Sequence, residues 1–132
     1  MVWAKDGTVT DVTQQLTELS GYKFTNILNY VIDDGSAIDA DLRIDGLSTS
    51  TYAYRESDNG SADVTNVSQA EITLDDTNAA SPRFSVVFGF NLNTEEKLFI
   101  AFTCDTSTAG TASHPSRVET VGKQSGTNNL GS

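Results

Sequence analysis

The sequence predicts an all-β protein, a single domain folded as an antiparallel β-sandwich or jelly roll. Three observations carry that expectation. Residues 84–104, FSVVFGFNLNTEEKLFIAFTC, place an apolar side chain at every second position on both sides of a polar break, as the two arms of a hairpin do. Shorter alternating runs recur upstream about every ten residues, separated by clusters of Asp, Asn, Gly and Ser. A length of 132 residues suits one domain that buries a core without disulfide or metal staples.

The hairpin is the strongest apolar seed. Phe84, Val86, Phe88, Phe90 and Leu92 share one side of the first arm; Leu98, Ile100, Phe102 and Cys104 share one side of the second. With Asn93–Lys97 as the turn, Leu92 pairs with Leu98, Phe90 with Ile100, Phe88 with Phe102 and Val86 with Cys104, all on one face. That face is the expected core, each buried side chain contributing about 1.5–3 kcal/mol. Cys104, the only cysteine, is expected to face the core as a small hydrophobe.

The other elements follow in order. Val9, Val12, Leu16 and Leu19 recur at a helical spacing, yet threonines crowd Thr8–Thr17, so this stretch reads as an extended segment or, alternatively, one amphipathic helix. Tyr22–Ile32 is a strand with Tyr22, Phe24, Leu28, Tyr30 and Ile32 on one side, closed by Asp33-Asp34-Gly35-Ser36. Ala40–Asp45, Thr51–Arg55 and Glu71–Leu74 are short strands; Ser57–Asp63 is a polar loop, and Pro82 leads into the hairpin. Arg117–Val121 is a final strand. The domain is expected to span 1–123, and 124–132 to form a flexible Gly/Asn/Ser tail.

Eight basic against eighteen acidic residues leave a net charge of −10, which argues against a phosphate-backbone partner. The start, MVWAKDGT, lacks a basic region followed by an apolar run, and no apolar run reaches bilayer length, so neither a secretory signal nor a membrane partner is expected. His114 is the only histidine, and Ser113 beside it carries no elbow motif, which speaks against nucleophilic catalysis. The carboxylates fall in turns and on polar strand faces, and no pair stands out as a glycosidase couple. Gly35, Gly46 and Gly60 are isolated turn glycines rather than a phosphate loop. No enzyme is expected.

Two weaker features remain. Asp58, Asn59, Ser61 and Asp63 alternate oxygen donors around Gly60, which suits calcium, although the loop lacks an EF-hand's spacing and closing glutamate. Asn-Gly is equally a favoured hairpin turn. Asp39, Asp41 and Asp45 form a similar, thinner case. Among the aromatics, Phe99 points off the expected core face and Trp3 lies outside any pattern; both are candidate interface residues, with a second buried layer as the other account of Phe99.

Two segments carry a family resemblance. Tyr52-Ala53-Tyr54-Arg55-Glu56-Ser57-Asp58-Asn59-Gly60 is one. The other starts at Glu95-Glu96-Lys97-Leu98, runs through Ala109-Gly110-Thr111-Ala112 and ends in Pro115-Ser116-Arg117-Val118-Glu119-Thr120-Val121-Gly122-Lys123, close to a PxRxExVGKW ending. Over roughly residues 20–125 the chain resembles small phage-type structural proteins of environmental and marine viral sequences. Gln124 stands where that group has Trp, and a continuation of about two further strands is missing after Leu130. An open edge of that kind calls for strand addition from a neighbour, a longer natural chain or a different closure.

The resemblance implies a non-catalytic bacteriophage virion protein, a capsid decoration or fibre and appendage subunit that acts through subunit contacts. It implies a homo-oligomer, with a trimer favoured, made in the host cytoplasm without a signal peptide and ending in the virion with other virion proteins as partners. The alternative is a monomeric carbohydrate- or receptor-binding β-sandwich module that holds a glycan with the help of calcium.

Overall fold

The computed structural model describes residues 21–31, 40–44, 49–75, 81–106, 111–112 and 114–126. Their strands are β1 (Phe24–Val31), β2 (Ala40–Leu42), β3 (Tyr52–Asp58), β4 (Val64–Gln69), β5 (Ile72–Asp75), β6 (Arg83–Phe90), β7 (Lys97–Asp105) and β8 (Ser116–Gln124). Six of them form one antiparallel sheet in the order β1-β6-β7-β8-β3-β4, and β2 pairs with β5 in a second, two-stranded sheet. The protein is all-β and antiparallel, a lopsided sandwich in which β5 lies against β8, β7 and β3.

The small sheet packs on one side of the large one, here called the inner face. Ile72 and Leu74 of β5, with Ala40 and Ile44, meet Tyr52, Val87, Phe99 and Ala101 in the buried core. Gly122 lets β5 approach the large sheet closely, and Gly89 leaves room for the ring of Phe99 from the neighbouring strand. A Cβ at Gly122 would stand 2.7 Å from Ile72 Cδ1, and one at Gly89 would stand 2.8 Å from Phe99 Cε1. Tyrosine hydroxyls tie the layers together. Ile44 N donates to Tyr52 Oη at 2.8 Å, and Tyr54 Oη donates to Thr73 Oγ1 at 3.1 Å.

The inner face also buries charge. Arg83 Nη1 lies 3.1 Å from Asp75 Oδ2 with both side chains at 1% exposure or less. This pair joins β6 of the large sheet to β5 of the small one, and Asp105 sits directly opposite Arg83 on β7. Lys97, wholly buried, donates from Nζ to the Leu92 carbonyl and, at 2.7 Å, to that of Glu95, so its charge caps the β6–β7 turn. Such charges are retained inside only when paired or fully hydrogen-bonded.

Three expectations are corrected. The central hairpin pairs Phe90 with Leu98, Phe88 with Ile100, Val86 with Phe102 and Phe84 with Cys104, two residues away from the register the pattern suggested. β6 stops at Phe90 because Asn91 is held elsewhere: its N–H donates to Lys23 O at 2.8 Å and its side-chain amide to Tyr22 O at 3.1 Å. The turn is therefore longer than Asn93–Lys97. A shift of two keeps the same residues on the same side, so pattern alone does not separate the two registers.

The second correction concerns which side is covered. The alternating apolar side of β6 and β7 faces away from the small sheet, and Cys104 is exposed rather than in the core. Phe99, expected to point outward, is 5% exposed and belongs to the core. The third is β4, which the polar sequence Val64-Thr65-Asn66-Val67-Ser68-Gln69 did not announce. It pairs with β3 through a bulge between Tyr52 and Tyr54, beside Ser68 at φ 56°. The strand ends also differ: β3 runs on to Asp58, and β8 includes Gln124, which is buried and pairs with Tyr52 and Lys97.

Candidate interaction surface

Strand pairing lines up the outer face in four rows. Tyr30, Phe84, Cys104 and Arg117 make the first; Leu28, Val86, Phe102, Glu119 and Ser57 the second. Asn26, Phe88, Ile100, Val121 and Arg55 follow, then Phe24, Phe90, Leu98, Lys123 and Ala53. Residues directly opposite in an antiparallel ladder share a face, so these rows are contiguous by construction. The columns from β1, β6 and β7 are apolar but for Asn26, and β8 and β3 add a charged margin.

Most of this face is open. Phe24 is 73% exposed and Phe102 50%, with Leu28, Tyr30, Phe84, Phe88, Leu98, Ile100 and Val121 likewise exposed. Phe24 and Phe90 contact each other with ring centroids 6.0 Å apart, so the aromatic column is packed laterally even where it is bare above. Single exposed apolar residues are ordinary, but a contiguous patch larger than a few hundred Å² marks an interaction site.

The margin is charge-balanced. Arg55 Nη1 lies 3.5 Å from Asp63 Oδ2, Arg117 Nη1 3.6 Å from Glu119 Oε1 and Lys123 Nζ 2.8 Å from Glu96 Oε2. Each cation on the face has a carboxylate beside it. Over β8 the side chains of Arg55, Asp63, Ile100, Phe102, Glu119 and Val121 border a hollow of about 220 Å³. At the β6–β7 turn a wider groove of about 620 Å³ runs between Phe90, Leu92 and Leu98 and the acidic Glu95 and Glu96.

The loop at Asp58–Asp63 is a tight hairpin turn between β3 and β4. Asn59 (φ 51°) and Gly60 (φ 76°) both occupy the left-handed region that a two-residue turn of this hand requires. Ser61 N donates to Asp58 O at 2.8 Å, and Ser57 Oγ donates to Ser61 O at 2.9 Å. The amide oxygen of Asn59 accepts from Arg117 N at 3.0 Å, and Asp63 faces Arg55, so these two candidate calcium ligands are turned to protein partners. Among the described residues no group of three or more His, Cys, Asp or Glu is placed to hold a metal ion.

The remaining candidates separate. Trp3, Asp39, Asp45 and Ser113 lie outside the described residues, while Asp41 is exposed on β2. His114 is exposed, with Nδ1 3.4 Å from Pro115 O. The outward apolar residues that the sequence assigned to the core are the ones gathered here; their signal was the alternation itself, read on the wrong side. The first segment that carries the family resemblance forms β3 with its turn, and the end of the second forms β8 beside it, paired from Tyr52–Gln124 to Asp58–Val118. No family model, no curated protein and no solved structure matches the chain.

Proposed function

We propose that the chain is a non-catalytic structural subunit that works by protein–protein contact through the outer face of its six-stranded sheet. The observation that supports this is the continuous apolar surface of β1, β6 and β7. Water meets eight large apolar side chains there, with Val121 of β8 beside them, and burying them against a partner supplies the driving force for assembly. The phage-type virion setting, as a capsid decoration or appendage component, is carried by the resemblance in β3 and β8. A glycan- or receptor-binding module is the second reading, favoured by the hollow beside Phe102. At about 220 Å³ that hollow is smaller than the roughly 300–1,000 Å³ of ordinary ligand pockets.

The test is assembly of the full chain followed by light scattering and electron microscopy, with Phe102→Ser as the variant. Phe102 is half exposed, so its loss leaves the circular dichroism spectrum intact while higher-mass species disappear. Wild-type protein that stays monomeric at high concentration and co-purifies with no protein partner from infected host cells removes the basis of the proposal.

A further inference from the structure

We propose that the occupant of the outer face is a second copy of this chain, two six-stranded sheets packed face to face about a two-fold axis. This rests on the reading above that the face is a contact surface, and it adds the partner. A patch that meets its own copy requires a two-fold, whereas a trimer needs two different patches.

Area is the first support. With about 200 Å² for a whole aromatic side chain and about 100 Å² for an aliphatic one, the exposed fractions leave roughly 750 Å² of apolar surface on this face. A stable pair of proteins buries about 800 Å² on each partner, so the face is the size of a complete interface. Two sheets in aligned packing stand about 10 Å apart with side chains interdigitating, the geometry these rows present.

Charge is the second support. A chain at −10 resists meeting itself, yet on this face Arg55, Arg117 and Lys123 are matched by Asp63, Glu119 and Glu96. Among the described residues the cations of this face are matched one for one, and longer-range repulsion is screened over about 8 Å at physiological ionic strength.

Cys104 supplies the test. It is exposed, it is the only cysteine, and it lies on this face beside Phe84 and Arg117. The full chain is labelled with a thiol reagent across a range of protein concentrations, and its mass is followed by light scattering. The expected result is a labelling rate that falls about tenfold as concentration passes well above the dissociation constant, in step with a doubling of mass. Ile100→Lys, at a half-exposed position, is expected to keep the spectrum of the fold and abolish the concentration dependence, while Val64→Ser, off this face, leaves it unchanged.

A fast rate at every concentration overturns the second copy and leaves the face free for a different protein. A slow rate at every concentration with a monomeric mass means that the chain covers its own face, and both the inference and the reading beneath it fail. A trimeric mass overturns the two-fold.

Discussion

Gly122→Ala distinguishes the two faces of β8 by the sign of its effect. Gly122 lies on the inner face, opposite Phe99 on one side and Tyr54 on the other. An added Cβ would meet Ile72 Cδ1 at 2.7 Å, Cγ1 at 3.2 Å and Cγ2 at 3.3 Å. Ile72 is buried, so it has little room to retreat, and overpacking of this kind costs about 1–3 kcal/mol. Against this, replacing a mid-strand glycine by alanine returns about 0.5–1 kcal/mol of backbone entropy. The net expectation is a loss of about 0.5–2 kcal/mol, or roughly 3–8 °C in Tm. If the small sheet covered the opposite side, the methyl group would point into water and the variant would be stabilised. Ile72→Val removes the atom that clashes first and costs about 0.5–1.5 kcal/mol alone. Combined with Gly122→Ala it should cost about 1 kcal/mol less than the two single losses added together. The assay is urea denaturation followed by circular dichroism on the four proteins of the cycle. A neutral or stabilising Gly122→Ala, or strict additivity, would refute the packing of β5 on β8.

Other expectations follow from the same geometry. Arg83→Met removes one partner of the buried pair with Asp75 and should cost about 3–5 kcal/mol, most of it recovered in Arg83→Met with Asp75→Leu; equal losses in the single and double variants would contradict the pairing. Gly60→Ala should cost about 1–2 kcal/mol, because Gly60 at φ 76° sits where an L side chain is strained while the space around it is ordinary. A Gly60→Ala melting curve that overlays the wild type would show that the turn is not held in this conformation. Calcium chelator should leave Tm unchanged, since Asn59 and Asp63 already face protein partners; a drop in Tm on chelation restores the cation reading of that loop. Raising ionic strength should not weaken self-association, because the proposed contact is apolar and its margin is already neutral; dissociation in high salt would point to a contact held by charge.

Much of the fold was legible in the sequence because a period of two needs no tertiary information. The alternation in β6 and β7 and the short run at Ile72–Leu74 gave strands of the right type and nearly the right limits; the break expected at Asp33–Ser36 lies outside the described residues. β4 was missed because an edge strand with one neighbour needs few apolar residues, and its polar side chains are what keep such an edge from pairing further. Asn59-Gly60 was the available signal, since that dipeptide in a tight turn requires a returning strand. The two-residue shift in the hairpin was invisible for a different reason. It is fixed by Asn91 reaching back to Tyr22 and Lys23, a contact 69 positions away in sequence for the side-chain bond.

The reversal of the two faces has a physical cause that bears on function. Alternation reports which side of a strand is apolar, and only the rest of the chain decides which side it covers. Here β5 packs on the side holding Arg83, Ser85, Lys97, Thr103 and Asp105, where Arg83 pairs with Asp75, Thr103 donates to Ser85 and Lys97 donates to turn carbonyls. The side with Phe24, Phe84, Phe88, Leu98, Ile100 and Phe102 is left to water. On the proposed reading the sheet is a middle layer, with β5 against one side and a second copy against the more apolar other. Places where local pattern and observed burial disagree are where a functional constraint is expected. On the proposed dimer the disagreement disappears: both sides of the sheet are buried, and the alternation describes the interior of the assembly instead of the interior of the single chain.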